Sequence, residues 1–371
     1  MSKTVNEKMA LEAVRHRLYV SRYSEAEAVK AAELLRSNDD EVAGRIYVAL
    51  NRSGINSSNY TTGRLSRIKD SIKSTVGNVF GKVMSSVTSS LQEFSVGEAK
   101  YYGDMLGDII PDAVLDHFPV TPVNHVQLWT AANSNPFQGA LLSQYASILT
   151  DDTISSIGHA VGAGIVQGET YDQVIKRVIG SQDNGFNGGV SATAARNVST
   201  ITRSAVSHVS AEAREILGQN NSDIIDIEKW LSTLDSHTSK ICIVRDNLRY
   251  NVKTKEGIGH SVPYGAGPGR IHFGCRSTSV FVVKSLTDLG LDGIDLPKGT
   301  RASMNGQVPE DMDYRTWMKS LPASELERVV GVDRAGLILS GKLEPSKMFD
   351  SKGGYLTLEQ LRKLDRIPSY D

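Results

Sequence analysis

Nine apolar residues, Leu65, Ile68, Ile72, Val76, Val79, Val83, Val87, Leu91 and Phe94, recur three or four positions apart between polar neighbours. Only a helix brings residues at that spacing onto one face. A stripe of this length implies a long amphipathic helix that must bury its apolar side against partners. Its many Ser, Thr and Val residues, with Gly77 and Gly81, keep intrinsic helix propensity weak. The helix opens with Arg64, Arg67, Lys69, Lys73 and Lys82 against Asp70. That run reads either as a solvated face or as a surface facing nucleic acid.

The flanking sequence follows the same period. Residues 7–37 carry a helical pattern with an expected break near Ser21 to Ser24, and "EVAGRIYVALNR" forms a second helix stopped by Gly54. Prolines in "IIPDAVLDHFPVTPVNHV" mark a connector. A second helical block follows. It includes "GETYDQVIKRVIG", with a polar start and a terminal glycine, and a long helix with Val198, Ile201, Ala205, Val209 and Ala213 on one side. After Asn221 the character changes. "DIIDIEKWLSTLD", "ICIVRDNLRYNV" and "STSVFVVKS" have the β-branched content of strands, the last two placed to pair with each other. The expected class is α+β, predominantly α-helical, with long amphipathic helices and a small α+β module built on a short antiparallel sheet. The expected division is 1–115 and 116–194 (helical), 195–290 (the α+β module) and 291–371 (a polar tail with short helices).

The 371 residues carry a net charge of −1, with 22% charged and 40% apolar residues, which argues against a chain-wide affinity for nucleic acid or membrane. No apolar run approaches the roughly 20 residues that span a bilayer. The polar start "MSKTVNEKMA" lacks the apolar core of a signal peptide, and two cysteines cannot build a disulfide scaffold. A reducing cytoplasm is the expected place of folding.

The densest special chemistry is "GPGRIHFGCRSTS", residues 267–279. Folded near Cys242, it would group Cys242, His272 and Cys275. Thiolate and imidazole are favoured zinc ligands, but structural zinc takes four, so Asp235, His237 or water would have to complete the set. Four readings stand open: a structural zinc, a Cys242–Cys275 disulfide, a catalytic thiol beside His272, and small buried residues packing a tight loop. The glycines of "GAGPGR" lack the P-loop pattern and suit turns with positive φ. Asp235, Ser236, His237 and Ser239 suggest a hydrolase set on paper. Nothing in the sequence orients them, and side-chain bonding within a turn is the simpler role. Trp230 and Trp317 are expected as core or interface anchors rather than substrate platforms.

In order, "WLSTLDSHTSKICIVRDNLRY", a glycine-rich spacer and "GPGRIHFGCRSTS" resemble the signature of the phage Mu F-like minor head proteins, the phage head morphogenesis family. The matching positions are Trp230, Leu234, Asp235, Thr238, Cys242, Asp246, His272, Cys275 and Arg276. Helix residues 196–214 and the tail "YRTWMKSLP" resemble the family more loosely. The chain departs from the pattern at Asn247, where many members have glycine, and at Ser277, where many carry a further cysteine.

The resemblance implies a non-catalytic virion protein acting in head morphogenesis at the inner face of the portal vertex, assembled in the host cytoplasm. Its implied partners are the portal protein, other capsid or internal head proteins, and packaged double-stranded DNA, with no membrane. Asp235 and Thr238 would cap a turn, and Arg270 or Arg276 would pair with Asp235 or Asp246. No cofactor is expected beyond a structural zinc. Two alternatives stand beside this: a DNA-contacting protein ejected with the genome, and a metal-dependent hydrolase.

Overall fold

The computed structural model describes residues 5–181, 185–285, 288–289, 300–303, 306–309, 312–350 and 353–365. The chain is a predominantly helical α+β protein. Among the described residues eight α-helices come first: α1 (Val5–Arg36), α2 (Asp39–Ser53), α3 (Thr62–Ile109), α4 (Asp112–Leu115), α5 (His125–Ser134), α6 (Tyr145–Val166), α7 (Tyr171–Ile179) and α8 (Gly189–Asn220). Then follow β1 (Ile225–Leu231), α9 (Lys240–Ile243), β2 (Arg249–Asn251), β3 (Thr278–Val283), β4 (Thr300–Ser303) and β5 (Gly306–Pro309). The last helices are α10 (Tyr314–Lys319), α11 (Ala323–Val330), α12 (Val332–Leu339) and α13 (Leu358–Asp365). Among the described residues no helix is long and apolar enough to cross a membrane.

The expected break in α1 does not occur. The Ser24 hydroxyl donates to the Ser21 carbonyl at 2.9 Å, so the serines are absorbed into the helix.

Contacts group the chain into two compact units, each made of segments distant in sequence. One comprises Ser21–Val96 and Trp129–Val209, the other Met1–Val20, Gly97–Leu128 and Ser210–Asp371.

In the first unit the apolar stripe is buried from Ile68 to Phe94, with Leu65 half-buried at its start. α2 stops where Gly54 takes φ 57°, its N–H bonding back to the Leu50 carbonyl. α7 begins with a capping box. Thr170 accepts from the Gln173 N–H at 3.3 Å, and the Gln173 side chain accepts from the Thr170 N–H at 2.8 Å. α6 and α7 approach closely at Gly164, where a Cβ would lie 2.8 Å from Val174.

In the second unit β1 is the central strand of an antiparallel sheet ordered β2-β1-β3. Glu228 sits opposite both Tyr250 and Phe281. The expected pairing of residues 241–252 with 278–284 is therefore corrected in two respects. β1 lies between the two partners, and residues 240–243 form a helical turn that leaves only Arg249–Asn251 as strand. The β-branched Ile241, Ile243 and Val244 favour a strand locally. The turn prevails because Asp246 draws two backbone amides onto its carboxylate, an instance of tertiary context overriding propensity.

The C-terminal helices pack into the same unit. Tyr314, Trp317, Met318, Leu326 and Leu361 form one buried cluster with Leu234, Ile243, Val244 and Val262.

Candidate functional site

The motif residues converge at the C-terminal end of β1. Trp230, fully buried, packs with Cys242, Tyr250, Tyr264 and Cys275. The chain then turns through residues 233–239. The Asp235 carboxylate accepts from the His237 N–H at 2.9 Å and lies 3.1 Å from the Thr238 hydroxyl, whose single hydrogen it shares with the Thr233 carbonyl. Arg276 meets Asp235 with two parallel bonds of 2.6 and 2.7 Å. This fork fixes orientation as well as charge. Burial works to raise the Asp235 carboxyl, but Arg276, the His237 amide and Thr238 together hold it below its ordinary value.

Asp246, buried, joins a second pair of segments. Its Oδ1 accepts from the Ser232 N–H at 2.7 Å and its Oδ2 from the Tyr314 N–H at 2.8 Å. Tyr314 in turn donates its hydroxyl to the Asp235 carbonyl at 2.6 Å. The two motif aspartates thus tie α10 to the turn after β1.

Cys242 is carried by α9, and His272 and Cys275 by the returning loop. Their ligand atoms all lie within 4.8 Å of one another. The sulfurs are 3.7 Å apart, and Cys242 Sγ is 3.3 Å from His272 Nε2. A tetrahedral zinc with Zn–S near ~2.3 Å and Zn–N near ~2.0 Å places two sulfurs about 3.8 Å apart, and a sulfur and a nitrogen about 3.5 Å apart. Those two separations fit that geometry, and the third lies within 4.8 Å.

The imidazole is oriented for it as well. Nδ1–H donates to the Phe273 carbonyl at 2.9 Å, which leaves Nε2 facing Cys242 at 3.3 Å and the Ser239 hydroxyl. The loop backbone depends on glycine here. Gly274, just before Cys275, has φ 65°, and at Gly267 (φ 90°) a Cβ would lie 2.8 Å from the Tyr264 ring. Arg17 of α1 donates to the Cys275 carbonyl at 3.1 Å, and burial pulls its guanidinium down to about 10.

Both cysteines are free. A hydrogen bond from Cys242 drives the Cys275 thiol well below its ordinary value, with help from His272, while the same bond raises Cys242. Cys275 is the main cause that raises His272. The pocket therefore favours a Cys275 thiolate beside a His272 that holds its proton more tightly, with Cys242 kept as a thiol, so a bound zinc would have to displace protons from Cys242 and His272. The thiols are 2% and 1% exposed, closed to a substrate.

The expected fourth ligands are not part of the cluster. Asp235 is committed to Arg276, and the His237 ring contacts Ser236 at 3.4 Å. Two hydroxyls border it instead. Ser239 Oγ lies 2.7 Å from His272 Nε2, and the buried Ser277 hydroxyl has the Cys242 sulfur as its neighbour and no other hydrogen-bond partner among the described residues.

Arg270 does not pair with either motif aspartate. It forks onto Glu212 and Glu215 of α8. Those two carboxylates stand one turn apart on one helix face, a target that neither aspartate offers.

Sequence reasoning missed a second polar centre. Glu228, 2% exposed in the middle of β1, takes Lys255 at 2.9 Å and the Tyr264 hydroxyl at 3.0 Å, bonds Ser279, and lies 3.8 Å from buried Arg214. Burial works to raise Glu228, but Lys255, Arg214 and Ser279 hold it below its ordinary value. The signal available was an acid two positions before Trp230, on the same face of the strand. Tyr314 gave none.

Comparison of the chain with models of protein families, with curated proteins and with solved structures finds no match.

Proposed function

We propose that the chain is a phage minor head protein of the Mu F-like kind, a structural and non-catalytic component of head morphogenesis that partners the portal protein inside the capsid. The observation that carries this reading is that the motif residues serve one another. Asp235 with Arg276, Asp246 with the Ser232 and Tyr314 amides, and Cys242 with His272 and Cys275 close one clasp around Trp230. The Asp235 and Asp246 carboxylates are spent on these bonds, and both thiols are buried. Even a departure from the pattern fits: Asn247, at a position often glycine, has φ 63°, a region that glycine and asparagine share.

Within this role, Cys242, His272 and Cys275 are the residues that would hold a structural zinc, whose contribution is to cross-link α9 to the loop.

The test is complementation of a phage lacking the gene. Asp235→Ala and His272→Ala lower the melting temperature of the purified protein and its incorporation into heads. Normal incorporation with loss of a hydrolytic activity would replace this reading with the enzymatic one. Elemental analysis decides the metal: about one zinc per chain, lost in Cys242→Ser/Cys275→Ser with a lower melting temperature, supports the clasp as a metal site. Zinc-free protein with unchanged stability in the serine variant leaves it a packing contact.

A further inference from the structure

The basic run that opens α3 does not form one face. Lys73 pairs with Asp151 at 3.0 Å, Lys82 faces Glu41 at 3.9 Å, and the Lys69 stem lies against Gly158 of α6. Arg64 and Arg67 do something else. They join Arg45 and Arg52 of α2 around an open groove of about 320 Å³, with Ser71 and Val48 also on its wall and no acidic residue lining it.

Helical spacing explains the convergence. Arg45 and Arg52 are seven residues apart on α2, and Arg64, Arg67 and Ser71 follow one stripe of α3, so two arginines from each helix reach the same space. Among the described residues none of the four has a carboxylate within ion-pair distance. Arg45 Nε donates to the Ser71 carbonyl at 2.9 Å, which fixes it across the two helices, while Arg52 and Arg67 stand exposed at the rim.

Electrostatics makes this arrangement costly. Four like charges share one groove. Two of them sit in the first turns of a helix of 48 residues whose opening carries no acid. Cations at the positive end of a helix dipole are unfavourable, and anions are the stabilising occupants. Thr61 accepts one of the end amides, from Arg64 at 3.2 Å, and Gly63 adds no side chain there.

We infer that this groove binds phosphate groups of a nucleic-acid backbone, without regard to base sequence. Guanidinium forks match phosphate oxygens. The groove offers no aromatic platform for a base, and its open rim suits a chain passing across it rather than an enclosed nucleotide. The inference does not rest on the head-protein reading, because the groove shares no residue with the motif.

The test is anisotropy of a short labelled DNA duplex titrated with the full chain over a salt series. Wild type binds, with log K falling linearly in log salt. Arg52→Gln and Arg67→Gln, whose exposed side chains make little packing contact, each reduce the slope by about one. The combined Arg52→Ala/Arg64→Ala/Arg67→Ala variant, shown folded by its helical circular dichroism, weakens binding by about tenfold or more at low salt, and the corresponding lysine variant largely restores it. Removing three exposed cations outside the groove, in Arg22→Ala/Lys253→Ala/Arg328→Ala, leaves the slope near the wild-type value. Absence of duplex binding, or an unchanged slope in the groove variants, overturns the inference. Tight binding of inorganic tripolyphosphate without duplex binding also overturns it, and would reassign the groove to a small polyphosphate.

Discussion

At the scale of single residues, the charged groups of the β1 region act through pairing. Asp235 is held below its ordinary value and is mostly shielded, so its ion pair stabilises the folded state above the unfolded carboxyl value near ~4 and is lost as pH falls through the folded one. Asp235→Ala is expected to cost about 1–3 kcal/mol near neutral pH, and the difference from wild type should shrink as pH drops from about 5 toward about 2. Urea unfolding across that range measures it, and a pH-independent gap would assign the loss to the turn bonds rather than to the charge. Glu228 is the heavier case. Glu228→Gln keeps the shape but strands buried Arg214 and Lys255, and should cost about 3–5 kcal/mol in the same assay. Ser277 points to a gain. Its buried hydroxyl beside Cys242 stands where Ser277→Cys would supply a third thiolate, so that variant should take up zinc more tightly than the wild type in a chelator competition, and equal uptake would place residue 277 outside the cluster.

At the scale of elements, the helices of the first 220 residues were legible because their apolar spacing survives any choice of partner. The stripe from Ile68 to Phe94 and the set Val198, Ile201, Ala205, Val209 and Ala213 are buried as their period requires. The segment "ICIVRDN" was misread because β-branched residues advertise a strand, while its path is set by the Asp246 bonds to Ser232 and Tyr314, one of them 68 positions away. Close helix–sheet packing was equally invisible. At Gly218 of α8 a Cβ would sit 2.7 Å from the Phe281 ring and 2.8 Å from Val252, so the sheet reaches the helix only because the side chain is missing. Gly218→Ala improves helix propensity by about 1 kcal/mol yet should destabilise the fold by about 1–3 kcal/mol net, read as a lower denaturation midpoint. An unchanged or raised midpoint would mean that Phe281 can give way.

At the scale of the whole molecule, sequence order and spatial order part company. Residues 1–20, 97–128 and 210–371 cluster together although long stretches separate them. The C-terminal helices that look like a polar tail supply half of a buried cluster whose other half is Leu234, Ile243, Val244 and Val262. A chain ending before Asp313 should therefore expose that half. The expected outcome is binding of a hydrophobic dye and loss of cooperative unfolding, against a wild type that shows neither. Cooperative unfolding of the shortened chain at an unchanged midpoint would show the cluster to be dispensable.

What the sequence determined by itself was whatever depends on spacing and chemical type. That includes the helical stripes, the stop at Gly54, the strands β1 and β3, and the short set of side chains able to ligate a metal or pair as ions. Spacing is local, and a helix or turn is a local solution to it. The tertiary structure alone decided which members of that set meet. Arg276, not Arg270, reached Asp235, because Glu212 and Glu215 on α8 claim Arg270. Two arginines from each of α2 and α3 came to share one groove while their lysine neighbours found acids. Pairing between distant segments follows from how packed elements present their faces, and no window of sequence contains that information.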